Sequence, residues 1–213
     1  MAEVQAHGFS FEKWVRENLF GGYVGSYMQK WDVPADANTT AEVPVAFRHL
    51  PVSIKTTKYG CPINLGDVLR QRRIDTDFLM IVGFWRQRSP TEKWFEEIGV
   101  ARFTSASWSD LWGQLTETQL QIIDAAVKNL SVSCELAQQH AKQWKRSTPE
   151  VATSRLIVNP KIDSKTQRRI QCSLPFKVFW QQVGAAPIRK DAPQLFGQVF
   201  PNPVLSAPRR FSR

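Results

Sequence analysis

Between residues 51 and 58 the chain reads PVSIKTTK, an alternation of apolar and polar positions. On a β-strand residues two apart share a face, so Val52, Ile54 and Thr56 are predicted to face a core while Ser53 and Lys55 face either water or a site. Upstream, Phe11, Trp14, Val15 and Leu19 recur at helical spacing behind Ser10. That predicts a helix capped by Ser10 and broken at FGGYVG, with Glu12 on the flank of its apolar stripe. VPVAFRHLPVSIKTT, rich in β-branched residues, predicts one or two strands with edges or breaks at its two prolines. KYGCPIN reads as a loop, LGDVLRQRR as the first turns of a short helix or an extended segment, and FLMIVGFW as a buried strand.

Farther on, Trp108, Leu111, Trp112 and Leu115, then Leu120, Ile123, Ala126, Val127 and Leu130, predict one or two long helices over 108–146 that end in the basic KQWKR. RLIVNPKIDSKTQRRIQCSLPFKVFW predicts two strands about a turn at DSKT. From Ala185 to Arg213 five prolines and a terminal APRRFSR predict an irregular, basic segment. The elements together predict an α/β fold of α+β character, with a central mixed β-sheet flanked by helices. The 213 residues are expected to form one domain. Within it, 8–107 form a core, 108–146 a helical segment, and 151–213 a hairpin with a basic, proline-rich tail.

A formal net charge of +9 on a chain that is 42% hydrophobic describes a folded protein with a basic bias, which makes a polyanionic partner more plausible. The three cysteines, Cys61, Cys134 and Cys172, are far apart and form no CxxC pair, so they are expected to be reduced thiols in a cytoplasm rather than zinc ligands. No signal peptide is expected, and no stretch approaches the roughly 18 apolar residues of a membrane helix. His7, His49 and His140 are scattered, and neither a GxSxG elbow nor a Walker loop is present.

The chemistry that remains is that of acids near a lysine. Carboxylate oxygens suit Mg²⁺, the metal activates water and neutralises phosphate charge, and a lysine adds positive charge or orients the attacking water. Asp32 in WDVP, followed after a loop by SIK at 53–55, resembles the PD-(D/E)XK signature of type II restriction endonucleases. GFSFEKWVRENLFGG, PVSIKTTKYG and LGDVLRQ extend the resemblance over about residues 8–85. It implies a restriction-endonuclease-like core, a Mg²⁺ cofactor, double-stranded DNA as substrate, a homodimer and a prokaryotic cytoplasm. The family usually has an acid where this chain has Ser53; in a similar branch a helix downstream of the lysine supplies the missing carboxylate, where Asp67 stands, with Asp36 and Glu42 as alternatives. The resemblance further implies metal ligation by Asp32, Asp67, the backbone carbonyl of Ile54 and Glu12, and catalytic roles for Asp32, Lys55, Asp67, Glu12 and Ser53.

Each residue also has a plainer reading. Asp32 satisfies backbone donors at a turn, Lys55 is a solvated strand lysine, Asp67 caps a helix, and Glu12 pairs with Arg16 one turn on. Base edges are read by Arg, Lys, Asn and Gln, and the residues expected on DNA are Arg70, Gln71, Arg72, Arg73 and Arg86 in one group and Lys165, Gln167, Arg168, Arg169 and Gln171 in another. The second group is the preferred major-groove reader, and Arg209 and Arg210 add contacts from the tail. Most of the eight tryptophans sit among apolar neighbours and are expected in the core or at subunit contacts rather than as base-stacking platforms. The helices of 108–146 are the expected dimer interface. Three functions stay open: a site-specific restriction endonuclease, a structure-selective repair nuclease of the same fold, and a DNA-binding module without catalysis.

Overall fold

The computed structural model describes residues 6–25, 29–162 and 167–205. In chain order the elements are α1 (Ala6–Leu19), β1 (Val52–Lys58), β2 (Ile63–Asp67), α2 (Val68–Arg72), β3 (Phe78–Gln87), β4 (Glu92–Phe103), α3 (Ser105–Asp110), α4 (Glu117–Lys128), α5 (Cys134–Ser147) and α6 (Glu150–Thr153). They continue as β5 (Ile157–Ile162), β6 (Arg168–Leu174), α7 (Phe176–Val183), β7 (Gln194–Leu195), β8 (Gln198–Val199) and β9 (Val204–Leu205). The fold is a mixed α+β architecture in which helices flank a mixed sheet. By internal contacts the chain divides into two compact units, the first from the described parts of Met1–Cys61, Asp77–Phe103 and Phe179–Arg213, the second from Pro62–Thr76 and Thr104–Val178. This division cuts across the segmentation expected from sequence, because 62–76 leaves the 8–107 stretch to join the later helices.

The first unit holds a four-stranded sheet in the order β1, β3, β4, β9. β1 runs parallel to β3, whereas β3 with β4 and β4 with β9 are antiparallel. Val52 and Ile54 are buried while Ser53 and Lys55 are partly exposed, as the alternation predicts. The apolar run at 78–84 is buried throughout, because this strand lies between two neighbours and has both faces covered. On one face Phe11 of α1 stacks on Phe95 with ring centroids 5.1 Å apart, and Phe200 packs against Phe11, Trp14 and Phe95. Gly83 makes room for this stack: a Cβ there would lie 2.6 Å from the Phe95 ring and 2.9 Å from that of Phe11. On the other face Phe179 and Trp180 pack on Phe84.

One local expectation changes in the first unit, and a second is narrowed to a single strand. The first helix begins at Ala6, so Ser10 lies within it and is not its cap; the apolar face that follows is fixed by packing on the sheet, which outweighs a local capping preference. Residues 45–47 form a single 3₁₀ turn after Pro44, and β1 is the one strand of the stretch from Val43 to Thr57. Here the buried Asn38 side chain donates to the carbonyls of Phe47 and Leu50, so these groups are satisfied without a ladder.

The second unit is built on a three-stranded antiparallel sheet, β2, β6, β5, with α4 against β6 and α5 against β5. The expected hairpin is present, and its turn, residues 163–166, lies outside the described residues. The helical stretch forms three separate helices, α3 to α5, begun by Thr104, Thr116 and Ser133, each of whose side chains accepts a backbone N–H of the first turn. Trp108 is fully buried and donates its indole N–H to the Gln71 carbonyl at 2.9 Å. Cys61, Cys134 and Cys172 are free thiols. Among the described residues no helix is long and apolar enough to cross a membrane.

Candidate active site

β1 is the edge strand of its sheet, so its outer backbone groups need partners. One antiparallel bridge, Val33 to Val52, supplies the first, with Val52 donating to the Val33 carbonyl at 2.8 Å and Asp32 and Val33 donating to the Val52 carbonyl. The bridge sets Asp32 alongside the strand. Its Oδ2 then accepts the Ile54 N–H at 2.6 Å and the Lys55 ammonium at 3.0 Å. Lys55 Nζ also donates to the Ile54 carbonyl at 3.1 Å. The Asp32 and Lys55 side chains are about a quarter exposed, at 26% and 25%. Satisfying a backbone donor, the plainer reading of Asp32, and meeting Lys55 are therefore done by the same oxygen.

α1 packs on β1 and brings in Glu12. Burial pushes the Glu12 carboxyl above its ordinary range, and the nearby charge of Asp32 pushes it further; Arg16 and Lys55 act against both. Arg16 meets Glu12 Oε1 at 2.6 Å, so the plain helix pair exists and coexists with the approach to Asp32 and Lys55. The first unit thus gathers two acids, one lysine and a strand carbonyl. Ser53 is partly buried on the strand and contributes a hydroxyl, not a carboxylate. Asp36 and Glu42 are exposed, and neither is among the charges that act on Glu12.

Asp67 belongs to the second unit, where its carboxylate is engaged as the N-cap of α2 and accepts the Arg70 N–H at 2.9 Å. The capping reading therefore describes what its side chain does. Of the two further acids expected from sequence, Glu12 lies on the helix that packs on the strand carrying Lys55 and belongs to the same unit as Asp32, whereas Asp67 belongs to the other unit.

The residues expected on DNA are dispersed and largely engaged. Arg70 is exposed, and Arg72 is partly buried. Arg73 pairs with Glu117 at 2.7 Å, and the Gln71 amide donates to the Leu65 carbonyl. Arg86 pairs with Glu96 at 2.8 Å and lies over the Tyr59 ring. In the hairpin, Arg168 donates to the Asn129 carbonyl and to Cys134 Sγ, while Arg169 and Gln167 are exposed and bonded to each other. Gln171 is a correction: it is 7% exposed on the middle strand of its sheet, too buried to reach a base edge. Lys165, Arg209 and Arg210 lie outside the described residues.

Among the described residues no three His, Cys, Asp or Glu side chains gather as a ready metal cage. Mg²⁺ does not require one, since it keeps several waters and binds through one or two carboxylates. Asp32, Glu12 and the Ile54 carbonyl are hard oxygen donors, and a bound cation would offset both the burial that chiefly lifts Glu12 and the Asp32 charge that adds to it. The donor set fits the ion. Compared with known proteins, the chain matches no family model, no curated protein and no solved structure.

Proposed function

We propose that this protein is a Mg²⁺-dependent nuclease that hydrolyses phosphodiester bonds in double-stranded DNA, acting at a specific sequence in the manner of a type II restriction endonuclease. The observation that carries the reading is the convergence on one carboxylate oxygen of Asp32 of both the Ile54 N–H and the Lys55 ammonium, with Glu12 beside them. A lysine and an acid on adjoining segments, with a second acid from a helix, offer oxygen donors for a metal and positive charge for a phosphate, which metal-assisted phosphate chemistry uses. The resemblance of WDVP and SIK to the PD-(D/E)XK signature supports the same conclusion.

In this reading Asp32, Glu12 and the Ile54 carbonyl would hold Mg²⁺, which when bound would lower the pKa of a water and neutralise phosphate charge. Asp32 has a second task, holding Lys55 Nζ in place through the 3.0 Å pair. Lys55 gives positive charge where negative charge develops on the phosphate and orients the attacking water. Glu12 takes the place that Ser53 leaves without a carboxylate, and Asp67 serves the fold as a cap. The basic surface, at a net charge of +9, provides salt-dependent attraction to DNA. A homodimer is part of the proposal, since cutting both strands of a palindrome suits a two-fold protein.

Incubation of the purified protein with plasmid DNA in Mg²⁺ or in EDTA tests the reading. Discrete fragments in Mg²⁺ alone are expected. A Mg²⁺-dependent smear contradicts sequence specificity and favours a structure-selective or non-specific nuclease; intact DNA under every condition, with binding that ignores Mg²⁺, contradicts catalysis.

A further inference from the structure

We propose that α5 is the DNA-reading element of the second unit and that it presents one polar face to the major groove of duplex DNA; this rests on the nuclease reading above. The face consists of Gln139, Lys142, Gln143 and Arg146, spaced i, i+3, i+4 and i+7, which puts all four on one side of a helix. Opposite them Ala137 and Ala141 are buried. Gln138 and Lys145 bind the Ile162 and Val158 carbonyls of β5, which fixes the roll of the helix and turns the four outward. All four are exposed, and among the described residues none of their side chains makes a hydrogen bond or an ion pair.

The chemistry of the face points to nucleic acid. Glutamine presents the donor and acceptor pair that matches adenine N7 and N6, and arginine and lysine match guanine O6 and N7. The only acid of α5 is Glu135 in the first turn, so the rest of the face is free of negative charge. A helix of 14 residues is about 21 Å long and fits a groove about 12 Å wide. Five of the side chains expected from sequence to read bases are, by contrast, committed: Gln171 is buried, and Arg168, Arg73, Gln71 and Arg86 all hold internal partners.

The test uses full-length protein carrying Asp32→Asn, so that DNA is bound and not cut. A duplex pool with a randomised core is first selected on this protein, and the enriched duplex and a scrambled one are then titrated against two further variants. Gln139→Ala with Gln143→Ala is expected to weaken the enriched duplex about tenfold or more and leave the scrambled duplex unchanged. Lys142→Ala with Arg146→Ala is expected to lower the salt slope of binding by about one for each phosphate no longer neutralised, or to relax selectivity at a guanine. Unaltered circular dichroism shows that both variants keep their fold. Full affinity and selectivity in both variants, or a pool with no enriched sequence, overturns the assignment of α5 while leaving duplex binding intact. Failure of the Asp32→Asn protein to bind any duplex at low salt overturns the nuclease reading as well. If the α5 variants instead convert a dimer to a monomer by light scattering with DNA selectivity unchanged, the face is a subunit interface and the proposal falls.

Discussion

Lys55 and Asp32, 23 residues apart in sequence, meet at 3.0 Å on the edge of the four-stranded sheet. The same Asp32 oxygen holds the Ile54 N–H, so the strand positions the acid and the acid positions the lysine. The pair is only partly exposed, which makes it a better-defined geometry than a surface ion pair of similar length.

Glu12 and Asp67 are the two acids expected beside Asp32, and substitution tells their roles apart. Glu12→Gln is expected to lower cleavage by roughly 10²-fold or more, as loss of a charged group at a metal-assisted site does. Asp67→Asn keeps a good cap and is expected to leave cleavage within a few fold; Asp67→Ala loses the cap and costs about 1 kcal/mol of stability. Initial cleavage rates and urea unfolding of the three variants check this, and a collapse of activity in Asp67→Asn returns Asp67 to the site.

Phe200 links the C-terminal segment to α1. Its ring packs on Phe11, Trp14 and Phe95, and it is 2% exposed. Phe200→Ala is expected to destabilise the fold by about 3–5 kcal/mol, the range for truncating a buried phenylalanine. Because the same helix carries Glu12, cleavage is expected to decline at temperatures where the wild type is still active. Denaturant midpoints measured beside activity against temperature test the connection.

Gly83→Ala probes the opposite error, too much volume. The added methyl falls within 3 Å of the Phe95 and Phe11 rings, and overpacking of this kind costs about 1–3 kcal/mol. A lower urea midpoint with an unchanged slope is the expected result.

Glu97 makes stability depend on pH. Burial holds its carboxyl above the ordinary value of 4.5, although an Ile188 N–H and the Lys190 charge pull the other way. One of its oxygens is buried with no hydrogen-bond partner. The folded protein therefore binds this proton more tightly than the unfolded chain does. The contribution is fully present below the unfolded value and is lost as pH rises through the folded one. Glu97→Gln is expected to flatten that part of the stability profile and to raise the melting temperature relative to wild type as pH increases from acid toward neutral. Thermal melts across that window decide it; parallel profiles contradict the assignment.

Much of the architecture was legible from periodicity. The alternation at 52–56 and the continuous apolar run at 78–84 both mark strands whose burial follows the pattern. The long strand β4 was not, because Lys93 and Glu96 are buried within it and a bulge opposite Phe84 and Trp85 breaks its alternation. The start of α1 and the turn at 45–47 were set by packing and by Asn38, which local preference does not encode. Asp32 and Lys55 stood out in the sequence as a pair, whereas the packing of α1, which carries Glu12, on β1 and the capping contact of Asp67 needed the structure. The internal partners of Arg73, Arg86 and Arg168 were equally invisible, since their acceptors lie far away in sequence or on other elements.

The most direct test is plasmid cleavage in Mg²⁺ by wild type and Lys55→Ala, with binding to the same DNA measured beside it. The account predicts that Lys55→Ala loses roughly 10²–10³-fold in cleavage rate while its affinity for duplex changes only a few fold. Equal cleavage by the two proteins would contradict it and return Lys55 to the status of an ordinary strand lysine.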